Sequence, residues 1–132
     1  MLAGGCHCGA IRYEASPKRP ESALCHCADC RRTTGAPAVA WFTVGAEDFR
    51  FTKGKPGTYV SSSHARRTFC PGCGAQITFV DDDYKGERLD VTTASLDDPA
   101  AAPVRQHIWT RSRIGWMEDL NGLPERTMDE KP

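Results

Sequence analysis

Apolar and polar residues alternate in short runs along the chain, and the runs predict strands rather than long helices. In residues 9–15, Gly-Ala-Ile-Arg-Tyr-Glu-Ala, the alternation places Ile11 and Tyr13 on one face of a strand. Residues 38–43 predict a second strand that offers Val39, Trp41 and Phe42 for burial. Residues 49–52 and 58–61 flank Lys53-Gly54-Lys55-Pro56-Gly57, a loop whose glycines and proline predict a β-hairpin. Residues 76–80 and 89–93 predict another strand pair joined by a polar turn, and residues 105–110 a late strand carrying His107 and Trp109. Residues 16–21 hold two prolines and read as a loop, while Ala28-Asp29 suits a short helical turn. Residues 94–103 support no assignment. The pattern predicts a mainly β fold.

Composition narrows the class. At 132 residues the chain is expected to form a single domain over 1–132, with the polar end 125–132 frayed. Twelve glycines and nine prolines, with a mean hydropathy of −0.49, indicate a turn-rich fold around a modest core. Seventeen basic and seventeen acidic residues cancel, so the long-range positive field of a nonspecific nucleic-acid or anionic-membrane binder is missing. A small-molecule partner is expected, with neither nucleic acid nor membrane. No apolar run reaches membrane-spanning length, and Met-Leu-Ala-Gly-Gly has neither the basic nor the apolar region of a signal peptide. A cytoplasmic location is expected.

The candidate chemistry lies in seven cysteines, arranged as Cys6-x-Cys8, Cys25-x-Cys27-x-x-Cys30 and Cys70-x-x-Cys73. An odd number in tight clusters argues against a disulfide framework, whereas thiolates one to three residues apart converge readily on zinc. In Cys70-Pro71-Gly72-Cys73-Gly74 the proline fixes φ, and the glycines let backbone N–H groups face the sulfurs. Pairing Cys6 and Cys8 with Cys70 and Cys73 makes a closed four-sulfur structural site. Cys25, Cys27 and Cys30 remain, three ligands with an open position. Two Zn²⁺ per chain are therefore expected, the second with a formal charge of −1 and room for water, a histidine or a thiol, which would bind as its thiolate. A histidine (His7, His26, His64 or His107) could instead close that site. His26 is the nearest, but in an extended segment its side chain points away from those of Cys25 and Cys27.

Three stretches together resemble the signatures of the glutathione-dependent formaldehyde-activating enzyme family, or GFA domain, shared with centromere-protein-V-like proteins. They are Gly4-Gly5-Cys6-His7-Cys8-Gly9-Ala10-Ile11-Arg12-Tyr13, Cys25-His26-Cys27-Ala28-Asp29-Cys30-Arg31-Arg32-Thr33-Thr34-Gly35-Ala36 and Arg67-Thr68-Phe69-Cys70-Pro71-Gly72-Cys73-Gly74. The resemblance implies an Mss4-like fold of packed antiparallel sheets, a structural zinc on the outer knuckles and a catalytic zinc on Cys25, Cys27 and Cys30. It further implies a carbon–sulfur lyase resembling S-(hydroxymethyl)glutathione synthase, with glutathione or a similar thiol and formaldehyde or another aldehyde as partners. Two other readings stand beside it. One is a noncatalytic zinc-binding interaction or chaperone module with both metals structural, and the other makes a central cysteine a redox nucleophile.

The remaining motifs have plainer expectations. Arg31-Arg32 and Arg66-Arg67 could meet substrate carboxylates but read as an exposed basic face, and Ser61-Ser62-Ser63 as a strand end. Trp41, Phe42, Trp109 and Trp116 read as core. Asp81-Asp82-Asp83 lacks the alternating ligands of a calcium loop and reads as a solvated turn.

Overall fold

The computed structural model describes residues 1–19 and 21–128, so residues 129–132 of the expected frayed end lie outside it. The mainly β expectation holds: among the described residues ten strands form two sheets, accompanied by one α-helix and several short 3₁₀ turns. In chain order the elements are β1 Leu2–Gly5, β2 Arg12–Ala15, β3 Ser22–Cys25, α1 Ala28–Thr34, β4 Val39–Gly45, β5 Phe49–Lys53, β6 Gly57–Ser62, β7 Ala65–Phe69, β8 Gln76–Asp81, β9 Arg88–Thr92 and β10 His107–Ile108. The small sheet runs β1-β2-β5 and the large one β10-β3-β4-β9-β8-β7-β6. Their pairings are antiparallel except that β10 lies parallel to β3.

Strand β4 organises the layers because its side chains alternate between the two faces of the large sheet. Phe42 and Val44 enter the larger core cluster, where Ile77 of β8 and Val91 of β9 meet Ile11, Tyr13 and Ala15 from the small-sheet side. Val39 and Trp41 enter a second cluster on the opposite face, with Cys25, Cys30, Phe79 and Ile108. The large sheet thus carries the small sheet on one face and helix α1 on the other.

Tyr13 anchors the first interface. Its ring is 1% exposed and stacks on Phe49 with centroids 5.3 Å apart, and its hydroxyl lies 2.8 Å from Ser95 Oγ. Burial pushes its phenol up to about 12, so the ring stays neutral. Gly4 permits this arrangement, since a Cβ there would collide with the Tyr13 hydroxyl and the Ser95 carbonyl oxygen.

Three expectations need correcting. The hairpin over 49–61 does not form: β5 pairs with β2 in the small sheet, and β6 pairs with β7 in the large one. Phe49 and Phe51 pack against the core beside Tyr13, and that burial takes β5 away from its neighbour in sequence. Residues 2–5, without an alternating pattern, nevertheless form β1 because β2 and an isolated bridge from Gly4 to Leu96 satisfy their backbone. Trp109 and Trp116 are 52% and 55% exposed, whereas Trp41 and Phe42 are buried as expected. Beyond β10 the chain continues in short 3₁₀ turns, and Trp109 itself has φ of +57°, a conformation no strand supplies.

The predicted pair of residues 76–80 and 89–93 does form, as β8 and β9. No helix of the described residues is long and apolar enough to cross a membrane. Because Ile77 is fully buried between the sheets, Ile77→Ala is expected to destabilise the protein by about 2–5 kcal/mol. Denaturant unfolding measures this loss, and the metal content of the folded protein should not change.

Candidate metal centres

Both outer cysteine pairs sit in hairpin turns built alike. Between β1 and β2, the Cys6 N–H donates to the Ile11 carbonyl (3.1 Å) and the Gly9 N–H to the Cys6 carbonyl (3.2 Å). Between β7 and β8, the Cys70 N–H donates to the Ala75 carbonyl (2.9 Å) and the Gly74 N–H to the Cys70 carbonyl (2.8 Å). Gly9 and Gly74 each follow the second cysteine and adopt φ of +81° and +80°, the left-handed step that turns the backbone around the sulfurs.

The two turns bring Cys6, Cys8, Cys70 and Cys73 together, their sulfurs all within 4.8 Å of one another. Cys6 Sγ lies 3.6 Å from Cys8 Sγ, and Cys8 Sγ 3.7 Å from Cys70 Sγ. Zinc–sulfur bonds of about 2.3 Å arranged tetrahedrally require sulfur separations of about 3.8 Å, so this group fits a zinc ion. Burial alone would push the Cys6 thiol up, but the Ile11 N–H at 3.2 Å and the neighbouring sulfurs bring it down to about 6. At Cys8 an N–H from Ala10 favours the anion, yet the crowding by Cys6 and Cys70 wins and raises the thiol to about 11.

The second group is built at a strand-to-helix junction on the other face of the large sheet. Cys25 ends β3, Cys27 caps α1, and Cys30 lies in its first turn, where its N–H donates to Cys27 Sγ (3.2 Å). The three sulfurs gather within 4.8 Å, with Cys25 and Cys30 buried and Cys27 half-buried. The Cys25 thiol is pushed up, first by its contact with Cys30 and then by burial, and burial also raises Cys27. Cys30 is brought down to about 6, first by the Cys25 thiol and, against burial, by Cys27 and Arg67.

A cleft of about 680 Å³ opens over these three sulfurs, walled by Trp41, Phe79, Ile108 and Trp109 and edged by Thr43 and Asp90. Burial raises the Asp90 carboxyl, although Thr43 donates a hydrogen bond to it at 2.6 Å.

A family model described as glutathione-dependent formaldehyde-activating enzyme matches residues 1–112, a span that includes all seven cysteines. The chain belongs to this family. A provisionally named glutathione-dependent formaldehyde-activating enzyme of Halomonas elongata is 27% identical over 126 residues, covering 89% of this chain and 80% of that protein. An uncharacterised lyase of Schizosaccharomyces pombe is 36% identical over 76 residues, 58% of this chain, and the match spans 55% of the yeast protein. A crystal structure of a Rhodobacter sphaeroides protein superposes with a TM-score of 0.65 at 26% identity, covering 80% of this chain and 98% of the other.

In this GFA-family chain no histidine joins the three-cysteine group among the described residues. His26 points away, as its extended segment predicts, and is buried with Nε2 2.9 Å from His107 Nδ1. Burial first, then Arg113, His107 and Arg31, lower its pKa and keep the ring neutral. His64 lies with Asp81 and Asp83 on the surface, where Asp81 accepts the Asp83 N–H at 2.9 Å and so caps the expected solvated turn.

The expected exposed basic face is only half realised. Arg32 and Arg66 are exposed, Arg66 pairing with Asp82 at 2.9 Å, but Arg31 bridges the His26 and Ser112 carbonyls at 2.7 and 2.6 Å. Arg67 is 4% exposed and reaches the cysteine group. Alternation from buried Ala65 through exposed Arg66 assigns Arg67 to the interior face, a signal that depends on recognising 65–69 as a strand. Ser61, expected as a strand end, accepts a hydrogen bond from Arg67 Nε at 3.2 Å.

Gly74 has open space around its α-carbon, so Gly74→Ala tests the turn without a collision. Left-handed strain of about 1–2 kcal/mol is expected to lower thermal stability and weaken metal retention at the four-cysteine group. Cys70→Ser, at a fully buried cysteine of the group, is expected to cost one metal per chain and to destabilise the fold far more. Metal analysis and calorimetry on both variants check the order.

Proposed function

We propose that this protein is a zinc-dependent carbon–sulfur lyase resembling S-(hydroxymethyl)glutathione synthase. In the synthetic direction it condenses glutathione or a similar thiol with formaldehyde or another aldehyde. The observation that carries this reading is the contrast between the two sulfur groups: four sulfurs gather in one, while the other has three beside a cleft. The family assignment and the lyase name of the yeast relative support it.

Cys6, Cys8, Cys70 and Cys73 would hold a structural zinc, a cross-link contributing on the order of 10 kcal/mol to folding. Cys25, Cys27 and Cys30 would hold the second. Bound there, zinc supplies the positive charge that keeps an incoming thiol as its thiolate. The chain's own part is then mainly positional. Trp41 and Phe79 give the cleft an apolar wall, and its volume of about 680 Å³ suits a tripeptide-sized thiol beside a small aldehyde. In the reaction a sulfur lone pair forms the S–C bond, the carbonyl π pair moves to oxygen, and oxygen takes up the proton that the thiol gave up. A noncatalytic interaction or chaperone module with both metals structural would leave the cleft without a task.

Exchange spectroscopy by NMR on glutathione and formaldehyde tests the proposal. The zinc-loaded protein is expected to accelerate adduct exchange above the uncatalysed rate. Cys27→Ser, which preserves an oxygen for capping α1, should return exchange to that rate while keeping one zinc and the fold. A protein carrying two zincs that accelerates exchange with neither glutathione nor free cysteine would restore the noncatalytic reading.

A further inference from the structure

Arg67 is a buried cation that faces a cysteine sulfur rather than a carboxylate. Among the described residues, Arg12, Arg50, Arg66, Arg88 and Arg113 each pair with a carboxylate near the surface, but Arg67 pairs with none. Its Nη1 and Nη2 both lie 3.8 Å from Cys30 Sγ, the fork closing on one atom. Nη1 also donates to Thr33 Oγ1 at 3.1 Å, and Nε donates to Ser61 Oγ at 3.2 Å. The guanidinium carbon lies 4.8 Å from the centre of the Phe79 ring, so the group is held on helix, sheet and aromatic sides at once.

Leaving a guanidinium unpaired in an interior is costly, and the structure places no carboxylate there to relieve it. Three thiolates around one divalent zinc carry a net charge of −1, which a single arginine cancels. From this we infer that Arg67 is a positioning residue for the three-cysteine centre: it orients Cys30 and supplies the counter-charge that allows the trithiolate complex to form in a buried site. The inference rests on the reading of Cys25, Cys27 and Cys30 as metal ligands. The four-cysteine group, which Arg67 does not touch, serves as an internal reference.

The test is Co²⁺ titration of the metal-free full chain against a competing chelator, followed by the thiolate-to-cobalt charge-transfer absorption. The part of the signal missing from Cys27→Ser identifies the three-cysteine centre. Arg67→Met is expected to weaken Co²⁺ at that centre by about 10–100-fold, leave the other centre unchanged, and be partly rescued in Arg67→Lys. If Arg67→Met does not fold by circular dichroism, Thr33→Val with Ser61→Ala loosens the guanidinium without removing its charge and should weaken the same centre severalfold. Unchanged Co²⁺ affinity in the folded variant overturns the inference, as does equal weakening of both centres, which marks a general structural role. A rise in KM for the thiol with unchanged Co²⁺ affinity also overturns it and makes Arg67 a substrate anchor. Wild-type protein binding only one Co²⁺ would instead remove the underlying metal-site reading.

Discussion

The convergence of two hairpin turns on four sulfurs is the constraint around which the fold is arranged. One turn belongs to the small sheet and the other to the large sheet, so the cysteine group ties together two layers that share no strand pairing. Cys70 and Cys6 are buried at the edge of the same core that holds Tyr13, Ile77 and Val91. Hydrophobic packing and sulfur convergence therefore act on one interface. For a small, glycine-rich chain with a modest core, a metal held at that point would add a cross-link where the sheets alone bury little area.

The second cysteine group depends on this arrangement without taking part in it. The alternation of β4 sends Phe42 and Val44 toward the small sheet and Val39 and Trp41 toward helix α1. A stable first face leaves the other face free to carry a cleft. The helix is short, but Cys27 caps its start and Gly35 its end, so Cys30 is presented from a defined turn. Arg67 reaches the same sulfur from β7, which links the sheet carrying the closed group to the helix carrying the open one.

Much of this was legible along the chain, and the misses share a cause. The β8–β9 pair, the buried Trp41 and Phe42, the cysteine grouping and the outward turn of His26 all follow from spacing and two-residue alternation. The hairpin over 49–61 failed because loop composition speaks only for local closure, whereas Phe49 and Phe51 found a better partner surface beside Tyr13. Composition predicts a surface place for Arg67, whereas its burial depends on a sulfur contributed from 37 positions away. The tryptophans of the late chain were read as core although the elements that would cover them are missing from the described residues.

By itself, then, the sequence determined the mainly β character, the family, and the division of seven cysteines into four and three. These are properties of short spacings, and turn geometry allows few alternatives at such range. The tertiary structure alone decided which strands pair, which face of the large sheet opens into a cleft, and which cation meets Cys30. Each of those depends on burial shared between residues distant in the chain, a free energy that no local window contains.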